Sequence, residues 1–380
     1  MSAIDLTKKL VSFNTVSRDS NLPLIDYVAT YLDDFGIKSH RIESPDGKKS
    51  NLYASIGPEE PGGVVLSGHT DVVPTDGQDW HTNPFMPEIK DGNLFGRGTC
   101  DMKGFIGTAL SLIPEMKSLE KPIHLALSYD EEIGCKGAPS MIAEIVDKLP
   151  PPQAVIVGEP TGMEAITGHK GMVTLKTAVQ GHEAHSSQIH RGVSAVMTAA
   201  TLVTKLNAMT QELAAATDTA TGFEPHHSTI HVGIIRGGTA INIISRQCEF
   251  QWDIRCIPAD DPKIILDEFE KFCRDEILPN MKSIDPNCSI DTRITASAPS
   301  FLMADSPALS LLTALGVQPA KSHAPYVAEA GQFQSSGLPT VICGPGFIDQ
   351  AHKPNEFIAL EQLNQGEQLL RSVIQRLTRS

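Results

Sequence analysis

The 380-residue chain is 41% hydrophobic and 20% charged, an ordinary globular composition, and it exceeds the length one hydrophobic core usually supports, so two domains are expected. Its formal net charge of -14 would repel phosphate, which argues against nucleic acid and anionic membranes as partners. The seven cysteines, at 100, 135, 248, 256, 273, 288 and 343, include no Cys-x-x-Cys pair, so neither a disulfide framework nor a thiolate zinc site is indicated.

The opening stretch "MSAIDLTKKLVSF" reads as an amphipathic helix without the basic lead and apolar core of a signal peptide, and no apolar run is long enough to span a bilayer. Cytoplasmic residence is the expectation. Leu24, Ile25, Val28, Leu32 and Phe35 recur at helical spacing. "GVVLSGH", "IHLALSYDEE" and "QAVIVGEPT" predict buried strands rich in branched residues. The helix between the first two, "MKGFIGTALSLIPEM", has Asp101 at its N-cap position. Strands alternating with helices predict an α/β sandwich with a largely parallel or mixed sheet.

From about residue 172 the texture changes. "MVTLKTAVQG" alternates, a helical run follows from Ser194 to Leu213, then come the alternating strands "STIHVGIIRGG" and "CEFQWDIRCI", the amphipathic "PKIILDEFEKFCRDEIL" and the strand-like "SIDTRITAS". That order is β-α-β-β-α-β, a ferredoxin-like α+β unit with one exposed sheet face. "TQELAAATDTATG" is its most linker-like stretch. The tail returns to α/β texture with "LPTVICGPG" and a final helix from Leu360 to Thr378. The expected organisation is a catalytic α/β domain in two segments, 1–172 and 297–380, interrupted by a smaller domain at 173–296.

Three predicted strands end in metal-ligand types: His69, the pair Glu131 and Glu132, and Glu159. Ligands gather at the carboxyl ends of strands in open α/β sheets, so these side chains should share one crevice with Asp101 and His352. Imidazole with carboxylate is the ligand mixture of hydrolytic zinc centres. Five ligands are too many for one open catalytic zinc and suit two metals bridged by a carboxylate, with a water between them. Asp71, two residues beyond His69, would accept that ring's free N–H and fix its tautomer. Neighbours on an extended segment point to opposite sides, so one of Glu131 and Glu132 should ligate while the other acts as general base.

The segments "SGHTDVVP", "GRGTCDMKG", "DEEIGCKGA", "GEPT", "GHEAHSS" and "AHKPNE", in this order over nearly the whole chain, resemble the cocatalytic metallopeptidase and deacylase family. That family includes aminoacylases, glutamate carboxypeptidases, succinyl-diaminopimelate desuccinylases and acetylornithine deacetylases. The resemblance implies that His69 and Glu159 hold one metal, Glu132 and His352 the other, that Asp101 bridges them, and that Glu131 is the base. It implies zinc, with cobalt or manganese as alternatives.

His185 in "GHEAHSS" is similar to the family's lid histidine, which polarises the scissile carbonyl and in dimeric members reaches the partner's site; by itself it is a surface histidine in a loop. Asn242 and Arg255 resemble family positions that hold the substrate's α-carboxylate, for which an arginine fork is suited, although an arginine on a strand is often simply salt-bridged. Glu329 in "EAGQFQ" is a candidate for supporting the metal site or for recognising an ammonium group, with a structural loop acid as the alternative. Cys100, next to Asp101, reads as packing.

"GRGTCDMKGF", the "TGHKG" after Glu159, and "EAGQFQ" incline the resemblance toward the deacetylases, whereas desuccinylases carry a Thr-Ser-Asp type sequence near the last of these. It implies hydrolysis of N2-acetyl-L-ornithine in arginine biosynthesis by a homodimer that pairs through the inserted lid domain. A broader N-acyl-amino-acid hydrolase, an acetylcitrulline deacetylase or a dipeptidase, and a catalytically silent metal-binding member are the other readings.

Overall fold

Branched apolar residues fill Val64–His69, Ile123–Ser128 and Ala154–Val157 without a polar face, and all three strands are buried along their whole length. Such strands need cover on both sides, which only a central place in a sheet with helices above and below supplies. The computed structural model, which describes residues 1–217, 221–303 and 305–378, provides that place. Its strands used below are, in chain order, β1 (Ser39–Glu43), β2 (Ser50–Ile56), β3 (Val64–His69), β4 (Ile123–Ser128), β5 (Ala154–Val157), β6 (Gly171–Gln180), β7 (Thr229–Gly237), β8 (Gln247–Cys256), β9 (Ser289–Ala298) and β10 (Thr340–Ile342).

The chain divides into two compact units, one comprising Met1–Gly168, Phe301–His323 and Ala328–Ser380, the other His169–Ser300 and Ala324–Val327. The first unit holds a six-stranded mixed sheet of order β1-β2-β4-β3-β5-β10, so the α/β class with a mixed sheet holds. β4, β3, β5 and β10 pair parallel, while β2 pairs antiparallel with both β4 and β1. Side chains alternate across this sheet. Leu66, Leu125 and Ile156 join Phe105, Ile106 and Leu110 of the helix Lys103–Ser111 on one face. Val65, Ala126 and Val155 join Met141, Ile142 and Ile145 of the helix Ala138–Lys148 on the other.

The second unit folds as an antiparallel sheet of order β7-β8-β6-β9. Its core alternates as the sequence does: Cys248, Phe250, Trp252, Ile254 and Cys256 are buried on β8 and pack with Leu202, Leu206 and Phe269 from the helices Ala195–Ala216 and Pro262–Phe272. Ser194 caps the first of these helices, accepting from the Met197 N–H. That helix runs on through half of the stretch read as a linker, because leucine and three consecutive alanines favour it; residues 218–220 of the stretch lie outside the described residues. The other amphipathic run is not one helix: a π turn at Cys273–Ile277 separates Pro262–Phe272 from Leu278–Ile284.

Two expectations for local structure change. The strand "IHLALSYDEE" stops at Ser128, so Glu131 and Glu132 lie in a turn that Asp130 enters with φ 58°. The helix after Asp101 starts at Lys103, with Met102 as its uncapping first neighbour, so Asp101 is no N-cap and its carboxylate is engaged elsewhere.

Gly158, between β5 and Glu159, is a point of close approach. A Cβ there would stand 2.1 Å from Cγ of Phe105. Gly158→Ala should therefore lower stability by about 1–3 kcal/mol through overpacking, read as a lower unfolding midpoint in denaturant. An unchanged midpoint would mean that Phe105 moves aside freely.

Candidate metal centre

Parallel pairing puts the carboxyl ends of β4, β3 and β5 side by side, with His69 opposite Ser128 and Ser67 opposite Val157. Each strand hands over acids or imidazole just past its end: His69 closes β3, Glu131 and Glu132 follow β4, and Glu159 follows β5. Asp101 arrives from the turn before Lys103–Ser111, and His352 from the loop beyond β10. All lie in the first unit.

Asp101 is the meeting point. Its Oδ1 lies 2.9 Å from His69 Nε2 and its Oδ2 3.3 Å from His352 Nε2, one carboxylate oxygen to each imidazole. Glu159 Oε1 stands 3.9 Å from His69 Nε2, and Glu132 Oε2 2.9 Å from His352 Nε2. The neighbouring glutamates diverge. Glu131 groups with His69 and Glu159, and Glu132 with His69 and Asp101, the ligand atoms of each trio lying within 4.8 Å of one another. His69, Asp101, Glu131 and Glu159 are buried, while the His352 side chain is 53% exposed, so solvent reaches the centre from the His352 side.

Asp71 supports this centre in a different way from the one expected. The His69 Nδ1 contact of 3.0 Å is to the Asp71 main-chain oxygen; its carboxylate is 3.7 Å away. That carboxylate instead accepts the backbone N–H groups of Glu131 (3.1 Å) and Glu132 (3.3 Å) and the Ser17 hydroxyl (2.6 Å). One aspartate thus orients the imidazole through its backbone and the two glutamates through its side chain. Lys49, paired with Asp130, ties down the turn from its other end.

Burial dominates the electrostatics. It pushes the Glu131 and Glu159 carboxyls well above the usual range and Glu132 up to about 7, with neighbouring acids adding to it. Hydrogen bonds to Asp101 and Glu132 raise His352 to about 11. For Asp101 burial works upward, yet the hydrogen bonds from His352 and His69 outweigh it and hold the carboxyl low. The only described ion-pair partners of Asp101, Glu132 and Glu159 are His69 and His352. Buried carboxylates in excess of their cationic neighbours, mixed with imidazole, are what a pair of divalent cations requires.

Glu329 lies at the same end of the sheet, 1% exposed, accepting from Ser67 Oγ at 3.3 Å. Burial raises its pKa, and the hydroxyls of Ser128 and Ser67 work against that. Cys100 is buried, its thiol directed at the Phe347 carbonyl at 3.4 Å, in keeping with a packing role. Within the second unit, His185 is exposed and its Nδ1 meets Ser187 Oγ at 2.8 Å. Its loop pairs with the segment of Asn242, whose carbonyl accepts the Ser186 N–H at 3.0 Å. Arg255, on β8, donates Nε to Asp253 Oδ2 at 2.8 Å, the salt-bridged arrangement.

Two buried residues escaped the sequence reading. Glu356, within "AHKPNE", accepts from Arg97 Nη1 (2.6 Å) and from the backbone N–H groups of Gly98 (3.0 Å), Cys100 (2.9 Å) and Asp101 (3.1 Å). It is the carboxylate that shapes the Asp101 turn. The available signal was the pairing of "GRG" with the acid of "AHKPNE", both inside segments that carry members of the cluster. Glu356→Gln would leave the Arg97 charge buried without its partner, and should cost about 3–5 kcal/mol in denaturant unfolding. Replacing both by apolar residues, Arg97→Met with Glu356→Leu, should recover much of that loss; a single variant as stable as the parent would contradict the clamp.

The chain resembles known proteins over nearly its whole length. Residues 65–376 match the profile of Peptidase family M20/M25/M40. The chain is 31% identical over 373 residues to an acetylornithine deacetylase of Myxococcus xanthus, covering 95% of this chain and 94% of that one. It is 30% identical over 376 residues to an acetylornithine deacetylase of Pasteurella multocida, covering 98% and 96%. The fold is similar to that of an M20 family metallo-carboxypeptidase from Sulfolobus solfataricus, with a TM-score of 0.76 at 18% identity over 98% of each chain. With that match over most of its length and a cluster of imidazole and carboxylate at its strand ends, the chain belongs to the peptidase family M20/M25/M40.

Proposed function

We propose that this chain is a metal-dependent amidohydrolase that converts N2-acetyl-L-ornithine to L-ornithine and acetate in arginine biosynthesis. The near full-length likeness to deacetylases of two organisms supports the substrate. The observation that carries the chemistry is Asp101, whose two oxygens each meet a different imidazole, the disposition of a carboxylate shared by two cations. His69 and Glu159 would hold one divalent ion, Glu132 and His352 the other, with zinc the first candidate and cobalt or manganese the alternatives. Bound there, such a pair supplies Lewis-acid polarisation of the acetyl carbonyl and a water of lowered pKa.

The protein's own groups do the rest. Glu131, buried and held by the Asp71 carboxylate through its backbone N–H, takes the proton of the attacking water and hands it to the departing amine. Its raised proton affinity, which burial causes, suits a group that must hold a proton between two steps. Glu329 supports the end of β3 through Ser67, a role that its burial favours over contact with an incoming ammonium. From the second unit, His185 would donate to the developing oxyanion, and Asn242 and Arg255 would hold the α-carboxylate. For that task Arg255 must share its guanidinium between Asp253 and substrate. We further propose a homodimer joined through the second unit, and residence in the cytoplasm, which seven unpaired cysteines, all buried, suit.

The reading is tested by amine release from N-acetyl-L-ornithine beside N-acetyl-L-methionine, N-succinyl-diaminopimelate and glycyl dipeptides, on chelator-stripped protein before and after zinc is returned. Activity should be absent without metal and strongest on acetylornithine. Preference for another amide would replace the substrate and keep the chemistry; metal uptake without hydrolysis of any would overturn the enzyme reading. Glu131→Gln should retain metal and lose at least about 10²-fold in turnover, and near-parental turnover would remove Glu131 from the base role.

A further inference from the structure

His352 is the most exposed member of the centre, so packing does little to hold its imidazole. Its backbone is also left-handed, with φ 61°, a conformation that a non-glycine residue keeps only when its surroundings over-determine it. The described residues contain such a device in Gln78. Gln78 Oε1 accepts from Arg97 Nη2 at 2.6 Å and from the indole N–H of Trp80 at 3.1 Å. Arg97 and Trp80 can only donate, so the amide is forced to turn its oxygen toward them. That leaves Gln78 Nε2 to donate to the main-chain oxygen of His352, at 2.9 Å.

The same Arg97 is bound to Glu356, and Glu356 accepts the backbone N–H of Asp101. Arg97 also lies over the Trp80 ring, 5.1 Å from its centroid, and donates to the Lys353 carbonyl at 3.3 Å. Two ligands that are 251 positions apart, Asp101 and His352 (352 minus 101), are thus referred to one buried ion pair. Asp101 is reached through Glu356 directly; His352 is reached through Gln78.

We propose that Gln78 is a positioning residue for the metal pair: it keys His352 to the Arg97–Glu356 clamp that holds Asp101, and so sets the affinity of the ion taken by His352 and Glu132. The proposal rests on the two-metal reading. The His69–Glu159 side, built on the ends of β3 and β5, has no such dependence on Gln78.

The test is zinc titration of chelator-stripped parent, Gln78→Met and Trp80→Phe in competition with a chromophoric chelator, repeated with cobalt(II) and read by its visible absorption. Methionine keeps the length of the side chain and removes both polar ends. The parent should take two ions. Gln78→Met should bind the first as the parent does and the second about 10- to 100-fold more weakly, as for loss of an outer partner of a metal ligand, with a changed cobalt spectrum in that step alone. Trp80→Phe removes one of the two donors that orient the amide and should weaken the second ion in the same direction by less; it decides the matter if Gln78→Met does not fold. Parent-like affinity for both ions, or equal weakening of both, overturns the proposal. A parent that takes a single ion overturns the two-metal reading, and the proposal with it.

Discussion

Buried negative charge at the carboxyl ends of three parallel strands is the constraint on which the rest of the first unit turns. Parallel pairing of β4, β3 and β5 leaves their ends in register, and the chain leaves each strand with an acid or an imidazole. Carboxylates so close together and so far from water would remain protonated or push one another apart unless something positive balanced them. Two imidazoles do this in part, which is why the Asp101 carboxyl is held low while Glu131, Glu132 and Glu159 are raised. The imbalance is itself the affinity for cations: the lone pairs that meet protons are those a metal would take, so binding must release protons.

Holding such a cluster in place requires acids that touch no ligand atom of the centre. Asp71 and Glu356 are both of this kind, and both act on backbone N–H groups. Asp71 gathers those of Glu131 and Glu132, Glu356 those of Cys100 and Asp101. A turn whose N–H groups all point at one buried carboxylate has little freedom, and it presents its outward side chains in one orientation. The divergence of Glu131 and Glu132 follows from this. They sit in a turn, not on a strand, and adopt different directions because Asp71 pins both of their amides on one side.

The cluster was legible because residue type and position coincide. His69, Glu132 and Glu159 stand just past runs of branched apolar residues, which mark strands by composition alone. The alternation of Phe250, Trp252 and Ile254 likewise gave away the half-buried sheet of the second unit. Asp101 belongs to the cluster and does not cap the helix, since an aspartate before a helical run has both uses and only the position of two distant imidazoles decides between them. The atoms that Asp71 uses were beyond sequence as well: its spacing from His69 permits either its carbonyl or its carboxylate to meet the ring. Arg97, Glu356 and Gln78 left the weakest trace. Their contacts to the region around His352 and Glu356 join segments 255 to 274 positions apart, and no periodicity or cap signature encodes a hydrogen bond of that reach.

The two sides of the centre are consequently built by different means. His69 and Glu159 grow out of the sheet, and their geometry is as firm as the packing of Phe105 against the glycine before Glu159. His352 comes from a loop, is half in water, and has a strained backbone torsion. A side chain of the second kind can be tuned by residues remote from the cluster, because its position rests on hydrogen bonds that substitutions can alter without disturbing a core. Rigidity on one side and adjustable support on the other would suit the proposed pair of ions, one held by the sheet and the other at the exposed side.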